Sequence, residues 1–161
     1  MLTAQKVGGP RVLGATRRNY TLVASQYNPV FVQGLVDFTA RELMRLAPAS
    51  RLTLHQVPGA FEIPMIVQEI ATKADADIHA IIALGVILQG ETDHAQHIAR
   101  SVTYALQQIA LASRIPVIHE VLSCKDEKQA HMRCLDPETN RGVEAARSAV
   151  AIATLIAQLR E

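Results

Sequence analysis

The fold is decided by residues 80–94, AIIALGVILQGETDH, where a continuous apolar run gives way to a polar cluster. No charged side chain occurs in 80–88, which is typical of a strand covered on both faces in a parallel sheet. Gly90 breaks the run, and a helical periodicity of apolar residues follows over 93–113. The stretch therefore predicts a buried strand, a tight turn and the start of a long helix.

On both sides of this stretch, segments with strand and helix periodicity alternate. Asn28 and Pro29 suit the cap and the first turn of a helix, and Pro48 helps to end it. This alternation predicts a parallel sheet with helices on both faces, in one domain over 20–161 that follows an N-terminal arm over 1–19. The further predicted strands are 20–26, 51–57 and 116–122, and the further predicted helices are 29–47, 61–73, 126–133 and 142–159.

Composition and charge exclude several classes of function. The 161 residues suffice for one domain with its own core, and the net charge of +1 gives no general case for binding nucleic acid or an anionic membrane. No apolar run reaches the roughly 18 residues that span a bilayer, and the N-terminus lacks the apolar segment of a signal peptide. Cys124 and Cys134 lack metal-ligand spacing, so we expect reduced thiols in a cytoplasmic protein.

The N-terminal region carries a local excess of positive charge. Lys6, Arg11, Arg17 and Arg18 all precede the first acidic residue, Asp37. One interpretation is a solvated arm that frays, as termini often do. The other is an arm that packs on a neighbouring subunit.

The common phosphate-binding and hydrolase motifs are missing from the sequence. It has no GxxxxGK[ST], no GxGxxG after the first predicted strand, and no GxSxG. A P-loop enzyme, a dinucleotide-binding enzyme of the usual type and an α/β-hydrolase are therefore disfavoured.

The loops after the first three predicted strands carry unusual side chains. Tyr27-Asn28 follows the first strand, 58–62 (PGAFE) the second and 90–94 (GETDH) the third. In a parallel sheet these loops share one edge, so an aromatic ring, a carboxylate, backbone amides and an imidazole converge. Such a set suits a flat polar heterocycle beside an anion, which helix N-termini also attract. The alternative for each loop is ordinary helix capping.

His94 is the best candidate for acid–base chemistry, because imidazole titrates near neutral pH. A metal site formed by His94, His97 and Glu91 is a weaker alternative, since two histidines three residues apart share a helix face but no third ligand is fixed by spacing. Arg133 and Arg141 are either surface charges or phosphate ligands, the latter facing the Gly90 turn from a neighbouring chain.

Three further motifs resemble one known family. VPGAFEIP at 57–64, ALGVILQGETDH at 83–94, and QAxxR at 129–133 followed by NRG at 140–142 are similar to motifs of the 6,7-dimethyl-8-ribityllumazine synthase family, also called the riboflavin synthase β-chain family. The motifs stand in the order and at the spacing of that family. Tyr27-Asn28 matches the family as well, and the resemblance covers about residues 20–159.

The resemblance implies a transferase. The family condenses 5-amino-6-(D-ribitylamino)uracil with L-3,4-dihydroxy-2-butanone 4-phosphate to 6,7-dimethyl-8-ribityllumazine, the penultimate step of riboflavin biosynthesis, and needs no metal or redox cofactor. The implied fold is a flavodoxin-like three-layer α/β/α sandwich with a four-stranded parallel sheet. The implied assembly is a pentamer with active sites between subunits, stacked into a decamer or a sixty-subunit shell in some members, and riboflavin synthase is an implied partner.

The resemblance also implies residue roles, with His94 as the proton-transfer residue. Val86, Ile87 and Leu88 would contact the heterocycle through their backbone. The implied pyrimidine and ribityl contacts are Tyr27, Asn28, Gly59, Ala60, Phe61, Glu62, Val86, Ile87, Leu88 and, from a neighbouring subunit, His119. The implied phosphate contacts are Gly90, Glu91, Thr92 and, across a subunit boundary, Arg133.

The sequence departs from the family pattern at several positions. His119-Glu120 stands where the family usually has Phe-Gly, Gln89 replaces a common Arg, and Arg141 replaces a common Lys. The departure at 119–120 favours one rival hypothesis, a catalytically silent relative that binds the pyrimidine or forms a shell. The second rival is a small metal-dependent hydrolase that uses His94, His97 and Glu91.

Overall fold

The computed structural model describes residues 10–73 and 77–161 and contains one sheet flanked by helices. The predicted order of strands and helices is confirmed, and no element end differs from its prediction by more than two residues. The strands are β1 (Asn19–Ser25), β2 (Arg51–Val57), β3 (Ala80–Leu88) and β4 (Val117–Cys124). The helices are α1 (Pro29–Leu46), α2 (Ile63–Thr72), α3 (His94–Ser113), α4 (Glu127–Cys134) and α5 (Arg141–Arg160), and a single 3-10 turn over Ala60–Glu62 precedes α2.

The sheet is four-stranded and parallel throughout, in the order β2-β1-β3-β4. The order reverses direction after β1, as it does in flavodoxin-like folds. With helices on both faces, the fold is the expected flavodoxin-like α/β/α sandwich.

Two apolar cores lie on the two faces of the sheet. One face carries Leu22, Ile82 and Leu84, which pack against α1, α4 and α5. The opposite face carries Ile81 and Ala83, which pack against α2 and α3. Alternate residues of β3 thus enter different cores, which explains why the strand is apolar without interruption.

The start of α1 differs from the prediction. Asn28 occupies the predicted N-cap position and Pro29 begins the helix, but the side chain of Asn28 makes no capping hydrogen bond. Its backbone is left-handed, with φ at 55°, and its side-chain amide donates to the carbonyl of Val86 at 2.8 Å. Asn28 therefore ties the loop after β1 to β3.

The helix α5 has the length and apolar composition of a membrane-spanning helix. Its inner face is buried against α1 and the sheet, which accounts for that composition within the domain. The buried residues of this face are Ala145, Ala146, Ala149, Val150 and Ala153.

Both cysteines are free and buried, in agreement with the prediction of reduced thiols. Burial raises the pKa of Cys134 to about 12, and it also raises the pKa of Cys124. Neither thiol is therefore a reactive thiolate at neutral pH.

A buried carboxylate joins α1 to α5. Glu42 accepts hydrogen bonds from Arg45 on its own helix at 2.8 Å and from Arg147 on α5 at 2.8 Å. The hydrogen bond from Arg45 is the largest cause that lowers the pKa of Glu42, to about 2, against the opposing effect of burial. Because the folded-state pKa is depressed, the pair stabilises the fold above pH 4.5, and this contribution is lost as the pH falls towards 2.

We expect Glu42→Gln to lower the free energy of unfolding by about 2 kcal/mol at neutral pH, somewhat less than the full pKa shift implies because Arg45 is half exposed. Denaturant unfolding at pH 7 and at pH 2.5 measures the difference between variant and parent, which should shrink at the lower pH. Glu69→Gln, at an exposed position on α2, is the control for loss of one negative charge. A deficit of equal size at both pH values would contradict this account.

Candidate active site

A cavity of about 430 Å³ opens at the carboxyl edge of the sheet, where β1 and β3 end. The loops after parallel strands meet at this edge, and ligands of open α/β sheets collect there. The cavity brings together residues of the first two predicted loops, the end of β3 and the first turn of α3, whereas Gly90, Glu91 and Thr92 of the third loop do not line it. Its lining consists of Tyr27, Asn28, Gly59, Ala60, Val86, Ile87, Leu88, His94, Ala95 and Ile98.

The floor of the cavity exists because β3 is longer than β1. The pairing of β3 with β1 ends at Leu84, whereas its pairing with β4 continues to Leu88. Residues 85–88 of β3, here called the overhang, therefore have no neighbouring strand on the β1 side. Their backbone groups on that side face the cavity and do not pair with another strand.

The alternating direction of backbone hydrogen bonds along β3 shows which residues of the overhang turn their backbone groups towards the cavity. The amides of Ile81 and Gln89 donate to carbonyls on the β4 side, and successive residues of a strand turn their backbone groups to opposite sides. Val86 and Leu88 therefore face the β1 side. The backbone groups of Ile87 face β4, so Ile87 lines the cavity with its side chain, unlike the backbone contact that the resemblance implies.

The side chain of Asn28 closes one end of the overhang. Its amide occupies one acceptor position of the Val86 carbonyl, and the ring of Tyr27 projects beside it, 74% exposed. The left-handed backbone at Asn28 turns the chain from β1 towards β3 and sets this geometry. The aromatic-amide pair thus has a structural role in shaping the cavity wall.

The turn after β2 carries a carboxylate close to the backbone. A Cβ atom added to Gly59 would lie 3.0 Å from the Oε2 atom of Glu62, so the glycine leaves room for that side chain. Phe61 is 61% exposed at the same turn and is not part of the cavity lining. Glu62 and Phe61 therefore lie next to the cavity and present polar and aromatic groups at its rim.

The turn after β3 is open to solvent. Gly90, Glu91 and Thr92 are exposed, and a Cβ atom at Gly90 would meet nothing within 4 Å. The hydroxyl of Thr92 accepts a long hydrogen bond of 3.5 Å from the amide of His94, the first residue of α3. The N-terminal amides of α3 thus point towards an accessible turn, as the sequence predicts for an anion site.

The first turn of α3 adds two residues that the sequence predictions missed. Ala95 and Ile98 line the cavity beside His94. Ile98 lies four residues after His94 and therefore on the same helix face, so the helical spacing pointed to it. Ala95 directly follows His94, and the spacing gave no signal for it.

Two predicted site residues lie elsewhere on this chain. Arg133 lies on α4 and lines a separate cavity of about 290 Å³ with Ser123, Gln129 and Arg141. His119 lies in the middle of β4 and lines neither cavity. A single chain therefore does not bring Arg133 or His119 to His94.

Internal hydrogen bonds satisfy both nitrogens of His119. Its Nδ1 accepts from the amide of Val121 at 3.1 Å, and its Nε2 lies 2.6 Å from the hydroxyl of Thr103 on α3. That hydroxyl donates to the carbonyl of Ala99, so Nε2 carries the proton. Burial lowers the pKa of His119, which favours this neutral form.

The side chain of Glu120 lies on the other face of the sheet, where it contacts Arg141, which also departs from the family pattern. Its carboxylate accepts from Arg141 on α5 at 3.0 and 3.3 Å. Burial raises the pKa of Glu120, and the charge of Arg141 opposes this effect. Arg141 is thereby engaged by a buried acid.

The remaining features of the described residues do not add a competing site. A cavity of about 540 Å³ lies at the amino-terminal ends of β1 and β2, away from the three loops. Within 10–73 and 77–161, no group of three or more His, Cys, Asp or Glu side chains is arranged to hold a metal ion. His94, His97 and Glu91, on which the metal-hydrolase hypothesis depends, do not form such a group.

Comparison with known proteins identifies the family. The family model for 6,7-dimethyl-8-ribityllumazine synthase matches residues 17–157. The chain belongs to the 6,7-dimethyl-8-ribityllumazine synthase family. A relative of that name from Halorhodospira halophila is 39% identical over 141 residues, covering 87% of this chain and 89% of its own. Another from Chlorobium limicola is 35% identical over 147 residues, covering 91% and 94%.

Among solved structures, the chain is similar to a de novo designed Rossmann fold protein. It is 17% identical, covers 70% of this chain and 90% of its own, and gives a TM-score of 0.39, too low to bear on the fold. Membership of the lumazine synthase family carries the family's reaction. The chain is accordingly a transferase of riboflavin biosynthesis, and the metal-hydrolase hypothesis is superseded.

We expect Asn28→Ala to destabilise the protein more than Asn28→Gly. Both variants lose the hydrogen bond to Val86, but only alanine also pays for the left-handed backbone, about 1 kcal/mol. Denaturant unfolding of the two variants and the parent measures the two contributions separately. Equal stability of the two variants would show that the backbone at Asn28 relaxes and does not fix the cavity wall.

Proposed function

We propose that the cavity at the β3 overhang is where this chain condenses 5-amino-6-(D-ribitylamino)uracil with L-3,4-dihydroxy-2-butanone 4-phosphate. The observation that supports this most strongly is that β3 leaves unpaired backbone positions within the same cavity as His94. Flat heterocycles that carry both donors and acceptors are recognised by such backbone groups. Apolar walls from Ile87, Ala95 and Ile98 exclude water from the same space.

The pyrimidine fits the overhang and its aromatic rim. The backbone of Val86 and Leu88 pairs with the ring edge, and Tyr27 stacks on its face. Gly59, Ala60, Phe61 and Glu62 surround the ribityl chain, whose hydroxyls donate to the Glu62 carboxylate. Asn28 orients this wall through its bond to Val86.

The phosphate of the second substrate binds at the turn after β3. Gly90 leaves open space there, and the amides at the start of α3 supply donors together with the hydroxyl of Thr92. Glu91 belongs to the same turn and contributes through its backbone, because its carboxylate would repel the anion. Arg133 completes the charge from a neighbouring subunit.

His94 moves the protons. The arylamine of the uracil attacks the ketone, water leaves to give an imine, phosphate is eliminated, and the ring closes with loss of water. Each step needs a proton taken from nitrogen or carbon and given to a leaving oxygen, which one imidazole can do. Holding the two substrates face to face removes a large part of the entropic barrier, and this part does not depend on His94.

Exposed apolar side chains around the cavity support a shared active site. Tyr27, Val30, Phe61 and Met65 are all exposed, and they follow or begin the elements that border the cavity. Such residues are typical of subunit interfaces. We therefore place the active site between subunits of a cytoplasmic homo-oligomer, a pentamer that stacks into a decamer or a sixty-subunit shell, with riboflavin synthase as a further partner.

The N-terminal arm and His119 also bear on the proposed assembly. The domain comprises residues 20–161, and the region 1–19 precedes it as an N-terminal arm. Of the arm, residues 1–9 lie outside the described residues, and the amide of Leu13 donates to the carbonyl of Leu46 at 2.8 Å. His119 faces the neighbouring pyrimidine only with its ring surface, because both its nitrogens are engaged.

We expect the metal-stripped protein to form lumazine well above the rate of the uncatalysed reaction, and His94→Ala to slow turnover by about a hundredfold without abolishing it, since positioning survives. Absorbance of the product, measured against a reaction without enzyme, gives both rates. His97→Ala is the matched control, because His97 lies on the same helix outside the cavity and should leave the rate unchanged.

The outcomes separate the hypotheses. A background rate in the parent together with tight binding of the uracil would favour the catalytically silent relative. Complete loss of activity in His94→Ala with intact substrate binding would contradict the division of labour between positioning and proton transfer.

We expect Arg133→Ala to raise the KM for the butanone phosphate with little effect on the KM for the uracil, because Arg133 meets only the anion. Steady-state kinetics with each substrate varied in turn measures the two constants. Lys128→Ala, which removes an exposed positive charge from the same helix, is the control. An unchanged KM for the phosphate substrate in Arg133→Ala would remove Arg133 from the site.

A further inference from the structure

Glu120 is a charged residue at a position built for apolar side chains. It is 5% exposed, its register partner on β3 is the buried Leu84, and its same-face neighbours on β4 are Ile118 and Leu122. Burying a carboxylate costs several kcal/mol unless it is paired, and an apolar residue in its place is often no less stable. The position therefore calls for a reason other than stability.

The partner of Glu120 is held by two carboxylates. Arg141 donates from Nε and Nη2 to Glu120, and from Nη1 to Glu144 on its own helix. All three nitrogens of the guanidinium are thus engaged. Two negative charges surround one positive charge, so this cluster adds no positive charge to its surroundings.

Arg141 and Arg133 line the same cavity of about 290 Å³. Arg133 is exposed and makes no hydrogen bond or ion pair within the described part of the chain. Its charge lowers the pKa of Glu120, against the larger effect of burial, which raises it. Of the two arginines in this cavity, Arg133 alone is left to meet an anion.

We propose that Glu120 is a positioning residue that holds Arg141 in a neutralised state and so limits anion binding in this cavity to Arg133. The proposal rests on the proposed function, in which this cavity faces the phosphate of a substrate bound to a neighbouring subunit. Inorganic phosphate is also a product of that reaction. A second guanidinium with groups free to donate to an anion would retain this product, and Glu120 prevents that by engaging two nitrogens of Arg141.

The test is a calorimetric titration of inorganic phosphate into the assembled protein, which requires no turnover. We expect Glu120→Gln to bind phosphate roughly three- to tenfold more tightly than the parent, because one negative charge near the anion is removed and the Nε and Nη2 groups of Arg141 become free to donate to it. The gain should shrink at high salt. Glu127→Gln removes the same charge from an exposed position on α4 and should bind phosphate like the parent.

A double-mutant cycle shows whether Glu120 acts through Arg141. In an Arg141→Gln background, Glu120→Gln should cause a smaller gain in phosphate affinity than in the parent, because no guanidinium group is released to donate to the anion. Glu144→Gln removes the second carboxylate and should give a smaller gain in phosphate affinity. This variant provides the test if Glu120→Gln does not fold. Unchanged or weaker phosphate binding in the variants, or an equal gain in Glu127→Gln, would overturn the proposal.

Turnover measurements separate this proposal from the proposed function. If the protein makes lumazine, Glu120→Gln should show a lower KM for the butanone phosphate and stronger inhibition by phosphate, without a higher kcat. If the protein makes no lumazine, the titration still decides whether Glu120 controls the anion affinity of Arg133. Normal lumazine formation with no change in phosphate affinity would reject the role of Glu120 alone.

Discussion

The candidate site depends on the different lengths of two neighbouring strands. Because β3 continues past the end of β1, backbone groups of Val86 and Leu88 lose their ladder partners at the edge where three loops meet. Buried backbone groups require partners, so this overhang is either bridged or occupied by a ligand. Asn28 bridges one carbonyl and leaves the rest of the overhang to the cavity. His94 lines the same cavity because it begins the helix that follows β3.

The chain divides its candidate site residues between two places. The carboxyl edge of the sheet carries His94 together with the predicted pyrimidine contacts. Arg133 on α4 lines a separate cavity. Apart from Gln89, which directly follows β3, the departures from the family pattern belong to the second place or to β4. His119 joins β4 to α3, and Glu120 joins β4 to Arg141 on α5. Consecutive residues of a strand point to opposite faces, so one dipeptide serves two helix layers.

Local pattern was enough to predict the elements, the parallel sheet and the three loops at its edge. It was not enough for Asn28, because asparagine suits both a helix cap and a left-handed turn, and the choice depends on the distant Val86. The pairing of Glu120 with Arg141 was equally hidden, since it joins residues 21 positions apart in the sequence. The contacts between subunits were predicted from the family resemblance alone.

We infer that each active site combines His94 of one subunit with Arg133 of the next. The measurement that tests it most directly is subunit complementation between His94→Ala and Arg133→Ala, mixed as unfolded chains and reassembled together. In a ring of shared sites, a random equal mixture regains both residues in about a quarter of the sites, so activity at low phosphate substrate should rise clearly above that of either variant alone. If both residues served the same chain's site, every mixed site would lack one of them. Activity no higher than the average of the two variants would contradict the shared site.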